Sequence, residues 1–540
     1  MAKFNREKVL RQLEFKRKLR SYSRYVYIAV PCVLCCLLCL YFAYSKFFVS
    51  EEQAVIRTTV GDFIYGDVVI GAYIDGEYSS TIPGKNDGYV VDKVSCDNGA
   101  AGKWDDNKWG LLATNLSKRT KCNVYFKKLV TKVPDIIAQL DTTGKCPTMN
   151  ADGSVNVTGV EATDGYLCKA KDAYGDSYYY RGNVTNNYVK FADKYWRIVR
   201  INGDSTVRVI YDGTSAHANG EDSEDRQIGR SAFNNNYMDN AYVGYMYGDR
   251  TSIVEPTSQY STTSFTNTNT YYIAKEYTYN ASTDRFTLKD PIAVLGSAMT
   301  SDYVGYYTLR STSASSSSSY VYKIFSVTAG SSSASVGYGY ATYATTSKEA
   351  AQTNKNDSTI KTYLDNWYKT NIVGTTNEQY LADNIFCNDR SFSSSNSGTG
   401  AGMSRTYYRW FYFANSSYNN KMMLTCPQQN DAFTVNDTSK GNGALTYPVG
   451  LLSTDEIVLA GGWSASNSGY YLYSGQWWWA SSPGYFYGSS AGVRRVYSDG
   501  YADYYDVVFG GNGVRPVFNL KAEVLAQGSG TASDPYRISS

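Results

Sequence analysis

Between Tyr25 and Ser45 the chain reads YVYIAVPCVLCCLLCLYFAYS, without one charged side chain. A helix needs ~20 apolar residues to cross the hydrocarbon of a bilayer, which matches this run. Tyr25, Tyr27, Tyr41 and Tyr44 fall near its ends, where amphipathic rings prefer the interface. Beyond it the pattern becomes alternating. Over residues 54–128 apolar and polar positions alternate between turns marked by Gly and Pro, which predicts the short strands of a small β-sandwich spacer. Trp104 and Trp109 are expected in its core and Cys122 to Lys128 as its closing strand. Leu129 to Leu140 then shows helical spacing with a Pro near its start, a linker helix within 129–144.

A larger unit is expected over 145–530, followed by a tail at 531–540. Tyr195 to Thr214 carries alternating apolar positions on both sides of Asn202-Gly203-Asp204, the signature of a β-hairpin. Ile360, Tyr363, Leu364 and Trp367 share one face of a helix predicted from Thr359 to Thr370, with Asp357 or Ser358 as its cap. A second helix is predicted from Leu451 to Ala460, where Ser453 and Glu456 have capping-box spacing. Residues 255–285 and 311–347 are rich in Ser, Thr, Tyr and Gly and read as long surface excursions, either loops or edge strands. The fold class is mainly β with some α: a transmembrane helix, a small β-sandwich and a larger α+β domain.

Charge orients the apolar run. Lys3, Arg6, Lys8, Arg11, Lys16, Arg17, Lys18, Arg20 and Arg24 precede it against Glu7 and Glu14, so residues 1–24 are expected in the cytoplasm and the chain from about 50 onward outside it. The rival reading is a cleaved signal peptide, whose apolar core is normally ~7–15 residues with a small-residue cleavage site. The overall formal charge is only +3 and much of the basic charge sits at the N-terminus, which argues against nucleic acid as a partner. With 53 Tyr and 1 His, the composition suits a wet β-rich surface protein and makes acid–base or metal chemistry less expected.

Cys32, Cys35, Cys36 and Cys39 lie inside the apolar run. Six cysteines lie beyond it: Cys96, Cys122, Cys146, Cys168, Cys387 and Cys426. An even set outside the membrane predicts disulfides, and of the fifteen possible pairings sequence proximity favours Cys96–Cys122, Cys146–Cys168 and Cys387–Cys426. His217 follows a predicted strand with no nucleophile motif nearby and reads as a surface-loop residue. Glu221, Asp222, Glu224 and Asp225 lack the spacing of a calcium loop and read as a solvated acidic turn. No catalytic residue, metal site or cofactor is expected.

Several blocks together resemble a known group. These are Tyr195-Trp196-Arg197-Ile198, Tyr211-Asp212-Gly213-Thr214, Leu364-Asp365-Asn366-Trp367-Tyr368, Gly450-Leu451-Leu452 with Asp455-Glu456, Trp477-Trp478-Trp479 to Pro483, and Gly513-Val514-Arg515-Pro516. The chain resembles membrane-anchored surface proteins of gut Bacilli whose C-terminal domain is C-type-lectin-like. That fold is shared with formylglycine-generating enzymes and with variable proteins of diversity-generating retroelements. The first unit, with Cys96-Asp97-Asn98-Gly99, resembles an accessory domain that precedes such domains. The resemblance implies Arg515 as a satisfied framework arginine and Trp477 to Trp479 as core or hydrophobic wall.

Between the Trp block and Gly513-Val514-Arg515-Pro516 lie more rings than one small core needs. Tyr485, Phe486, Tyr487, Arg494, Arg495, Tyr497, Tyr501, Asp503, Tyr504, Tyr505, Phe509 and Asn512 are therefore the expected ligand-binding residues. Tyr and Arg are enriched at interface hot spots. From Gly484 to Gly513 there is no Lys, Glu, Gln, Met or Trp, as adenine-directed mutagenesis of AAC or AAT codons would leave it. The expected function is non-enzymatic capture of a surface ligand, protein or glycan, from the outer face of the membrane. A structural envelope or adhesion protein without a soluble ligand is the alternative, and a divergent hydrolase the third. The formylglycine-type thiol chemistry is absent, since no Cys follows Cys426.

Overall fold

Alternation in the first unit is realised as two sheets around one core. The computed structural model describes residues 11–18, 53–55, 63–65, 68–85, 87–105, 108–115, 120–160, 162–393, 405–412, 421–462, 466–487, 490–502 and 505–538. The apolar run 25–45 lies outside them. Among the described residues no helix is long and apolar enough to cross a membrane. The chain divides into two compact units, Met1–Val130 and Thr131–Ser540.

In the first unit Val68–Ile74 runs parallel to Thr120–Lys128, which pairs antiparallel with Tyr89–Cys96. A second sheet joins Gln53–Val55, Gly110–Thr114 and Ala101–Asp105. Thr120, Cys122, Val124 and Phe126 are buried at every second position, and Leu111 and Ala113 of the other sheet meet them. Trp104 packs edge-on against Trp109 and Phe126, each at 5.3 Å. Cys96 and Cys122 face each other across adjacent strands and form a disulfide, which suits a core too small to be strongly stable alone.

The second unit is built on two six-stranded sheets. The first orders Tyr166–Asp172, Gly175–Arg181, Lys194–Ile201, Val207–Gly213 and Val517–Leu520, with Tyr188–Phe191 on the flank of Lys194–Ile201. The predicted hairpin is its centre. The second orders Arg230–Ser231, Asn512–Gly513, Trp478–Phe486, Ala491–Val496 and Tyr505–Val507, with Thr406–Tyr407 paired to Trp478–Phe486. One large core spans both, with Trp196 stacked on Phe518 at 4.7 Å and with Trp478, Trp479, Phe486 and Val493 from the second sheet. The remaining disulfides, Cys146–Cys168 and Cys387–Cys426, lie in this unit, so all three pairings follow sequence proximity.

Helices close the faces. Thr359–Asn371 is capped by Ser358 and buries Ile360, Leu364 and Tyr368. Thr454–Ala460 starts later than expected because Leu451 and Leu452 are core residues ahead of the N-cap. Ser453 and Glu456 form the complete capping box. The linker helix shortens to Val133–Ile137, since Leu140 leaves the helix to bridge Leu167.

The two Ser/Thr/Tyr-rich excursions are neither loops nor edge strands alone. Ser333–Ala344 is an inner strand, paired with Ser252–Val254 and Ser261–Thr266 on one side and Tyr320–Thr328 on the other. Its sheet has seven strands and its own core of Phe265, Ile273, Ile324 and Val336. Val, Ile and Tyr at alternate positions fit a pleated, half-buried surface, and Ser between them carries no penalty there.

Glu456 links cap to core: its carboxylate accepts from Ser453 N at 3.0 Å and lies 3.2 Å from Arg200 and 2.5 Å from Arg208. Ser453→Ala should therefore cost ~1 kcal/mol, and Glu456→Gln ~3–5 kcal/mol because it takes from buried Arg208 the carboxylate it pairs with, while Arg200 keeps Asp172. Urea unfolding of the two variants checks the order; equal losses would contradict the link.

Candidate functional site

The site is framed by charge in the core. Val207–Gly213 is buried on both faces, so Asp212, a polar position of the hairpin, cannot reach water. Its Oδ1 instead accepts from Arg226 Nε at 2.8 Å and from Arg515 Nη2 at 2.9 Å, and Oδ2 lies 3.8 Å from Arg197 Nη1. All four side chains are fully buried. Backbone carbonyls supply further acceptors: Tyr211 and Leu472 for Arg515, Tyr471 and Tyr473 for Arg226, and Val184, with Asn187 Oδ1, for Arg197, whose Nη1 faces Asp212 Oδ2 without a hydrogen bond. Burial, then the neighbouring Arg226 charge, pushes Arg515 down to about 9, with Asp212 opposing. Arg515 is thus a framework residue, and its guanidinium carbon sits 5.1 Å from the Trp478 ring.

That frame holds the strand Trp478–Phe486, every residue of which is buried. Trp477, one residue earlier, is 42% exposed. The Arg495 guanidinium lies 4.3 Å from the Trp477 ring and 4.8 Å from the Tyr497 ring, and its Nη1 donates to Asn512 at 3.1 Å. Trp477 meets Tyr497 at 5.7 Å and Tyr497 meets Tyr501 at 6.4 Å. Tyr497 and Tyr501 are half-buried, and a turn closed by Gly500 N to Tyr497 O and by Tyr497 N to Tyr501 O, both 2.9 Å, fixes them. The result is an aromatic edge braced by a cation.

The other expected residues separate from it. Phe486 and Arg494 are core residues; Arg494 donates to Phe411 O at 3.1 Å. Tyr485 is also buried, its ring laid over Gly492, where any Cβ would meet it at 2.4 Å. Half-buried Tyr487 meets Tyr485 at 4.4 Å, the rings tilted by 54°, within a group completed by Tyr407, Phe411 and Arg405. Phe509 is 53% exposed and leans on Tyr237 at 4.8 Å. Asn512 is buried. Tyr505 opens the strand Tyr505–Val507, and Asp503 and Tyr504 lie outside the described residues. The expected single face of twelve residues is therefore corrected: Tyr485, Phe486, Arg494 and Asn512 point into protein.

Sequence reasoning missed the polar side chains beside Trp477. Gln476 donates to Asp222 at 2.7 Å and accepts from Arg230 at 2.9 Å, and Arg230 reaches Glu224 at 3.1 Å. These partners come from residues 222–230, far away in sequence, and no local signal joins them to Gln476.

His217 is corrected from a surface-loop residue to a buried one, 6% exposed. Its Nδ1 lies 2.8 Å from Glu221 Oε1 and its Nε2 2.9 Å from Asp225 Oδ2. The hydrogen bond to His217 holds Glu221 below the usual carboxylate range. Burial acts upward on Asp225, but its bonds to His217 and Thr214 outweigh this and lower it. Among the described residues no group of three or more His, Cys, Asp or Glu is arranged to hold a metal ion.

A family model described as "Domain of unknown function (DUF6273)" matches residues 340–522. That segment contains Trp477 to Trp479, the Tyr497 turn and Arg515, while Asp212, Arg197 and Arg226 lie before it. No curated protein and no solved structure matches the chain.

Asp212→Asn should remove the only carboxylate among three buried guanidiniums and cost ~3–5 kcal/mol, read as a lower melting temperature for the second unit. A change within ~0.5 kcal/mol, the range of ordinary surface substitutions, would show that the cluster is not structurally required.

Proposed function

We propose that the protein is a membrane-anchored, outward-facing and non-enzymatic binding protein. Residues 25–45 would be the anchor and the C-terminal unit, on a scaffold of C-type-lectin-like kind, the display domain. The observation that carries the binding reading is the Trp477–Arg495–Tyr497–Tyr501 edge. Large rings held half-exposed by a cation and a tight turn are preorganised, so little side-chain entropy remains to be lost on contact. Trp, Tyr and Arg are also the residue types that dominate binding hot spots. The ligand would be a surface protein or glycan, with no cofactor.

If a retroelement diversifies this protein, the tolerant positions are Tyr497, Ser498, Tyr501 and Phe509, with Gly500 excluded because at φ +86° a Cβ would meet Asn467 O at 2.1 Å. Random codons at Phe486 or Arg494 would disrupt packing, because both are buried. A template repeat that differs only at adenines and spares those two codons would fit this reading.

A second reading, a self-associating envelope protein, has one observation in its favour. The sheet-edge strand Ile292–Leu295 exposes Ile292 at 47% and Leu295 at 49%, and apolar edges invite pairing. Sedimentation of the full chain with Ile292→Lys separates the two: only this reading expects dissociation.

For the leading reading, full-length protein in nanodiscs is screened on glycan and protein arrays. The combined variant Trp477→Ala, Tyr497→Ala, Tyr501→Ala should lose capture by ~30-fold or more and keep its melting temperature within ~3 °C. Tyr485→Ala should instead destabilise by ~3 kcal/mol, as buried aromatics do. Undiminished capture by the triple variant would move the binding face elsewhere.

A further inference from the structure

The outer face of the larger sheet in the first unit carries a row of rings. Along Thr120–Lys128 the side chains of Thr120, Cys122, Val124 and Phe126 are buried, so Lys121, Asn123, Tyr125 and Lys127 turn to the opposite face. Tyr73 lies opposite Tyr125 in the parallel pair, Tyr78 lies opposite Tyr73, and Lys93 lies opposite Tyr125. The Tyr73 and Tyr125 rings stack at 4.8 Å, and Tyr78 meets Tyr73 edge-on at 5.8 Å. The Lys93 ammonium sits 4.6 Å from the Tyr125 ring. Four adjacent strands thus contribute one line, Lys93–Tyr125–Tyr73–Tyr78. Tyr73 and Tyr125 are half-buried, and Tyr78 is 53% exposed. None of the three rings belongs to the core of the unit.

Charge on this face is mostly positive. Lys121 and Lys127 flank Tyr125 on its own strand. Lys127 pairs with Asp92 at 2.8 Å, whereas neither Lys93 nor Lys121 has an ion pair among the described residues. Asp97 accepts the Lys121 backbone N–H at 2.6 Å, and Asp75 accepts that of Lys128 at 3.0 Å. A phenol has an apolar body and a polar tip, and a lysine has an apolar stem and a charged head. Both suit a boundary between an apolar phase and water. The chain also limits how far this unit can stand from such a boundary. Ser45, the end of the apolar run, and Gln53, the start of the first strand, are eight residues apart. Whatever path they take, those residues span at most about 30 Å. A unit tethered so closely meets a lipid surface at an effective concentration in the ~mM range.

We infer that the face Lys93–Tyr125–Tyr73–Tyr78 docks the first unit on an anionic lipid surface, with the rings among the headgroups and Lys93 and Lys121 against their phosphates. The docking rests on reading residues 25–45 as a membrane anchor. Each lysine brought to an anionic surface favours contact about fivefold. Two lysines without ion pairs are therefore enough to bias a unit that the tether already holds there. Salt weakens the contact, because the screening length falls from ~10 Å at 0.1 M to ~3 Å at 1 M. The first unit then serves as a foot on the membrane and not only as a spacer.

Full-length protein in two kinds of nanodisc tests the docking, one of phosphatidylcholine alone and one of phosphatidylcholine mixed with anionic phosphatidylglycerol. Oxidation of Tyr78 by hydroxyl radicals is read by mass spectrometry, with Trp477 of the second unit as internal reference. Tyr78 should oxidise at least about threefold more slowly in the anionic discs and recover in ~1 M salt. The double variant Lys93→Gln, Lys121→Gln should remove the difference between the discs. Both side chains are exposed, so its melting temperature should stay within ~3 °C of the wild type. Equal oxidation in the two discs overturns the proposal, and so does protection that survives the double substitution. Protection that follows the number of chains per disc and not the lipid charge would give the face to a second copy, which also overturns it. A chain that enters neither disc overturns the anchor reading and the proposal with it, whereas the other failures leave the anchor standing.

Discussion

Asp212 faces three arginines from three segments of the chain: Arg197 from the same hairpin, Arg226 from the turn after it, and Arg515, far away in sequence, from the link into the strand Val517–Leu520. Burying so much positive charge is expensive unless every guanidinium finds a fixed acceptor. Here the acceptors are one carboxylate and the carbonyls of Val184, Tyr211, Tyr471, Leu472 and Tyr473. These carbonyls are correctly placed only when both sheets and the 471–473 segment are docked together. The cluster thus acts less as a source of net stability than as a condition on geometry, and Trp477 is presented a few residues beyond that segment.

A second buried network repeats the device. Arg200 meets Asp172 at 2.6 Å and shares Glu456 with Arg208. Glu456 is also the N3 residue of the capped helix. Helix position, sheet position and charge pairing are set by one side chain, so the two sheets and the helix are expected to unfold together. A half-satisfied network of this kind would be worse than an apolar core.

Local signals were read correctly where the physics is local. The Asn202-Gly203 hairpin, the caps at Ser358 and Ser453, and the disulfide pairs of near neighbours all appear where spacing puts them. What failed were inferences about which side of a strand meets water. Alternation in the hairpin does not report that its polar positions Arg197, Arg200, Arg208 and Asp212 are all buried in ion networks. Tyr485 and Phe486 looked like display residues because composition does not distinguish a strand buried on both faces from one buried on one. Trp477 was grouped with its two neighbours, yet it precedes the strand that buries them. His217 looked exposed because its partners, although only four and eight residues away, fold back by a turn that periodicity does not report.

The C-terminal frame exposes one tryptophan, Trp477, and conceals its two neighbours. Hydroxyl-radical footprinting of the full-length protein measures this directly. Oxidation of Trp477 at a rate at least about tenfold above Trp478 and Trp479 is expected, since indole reactivity follows exposure and the latter two are 0–1% exposed. Equal rates at the three positions, or a protected Trp477, would contradict it.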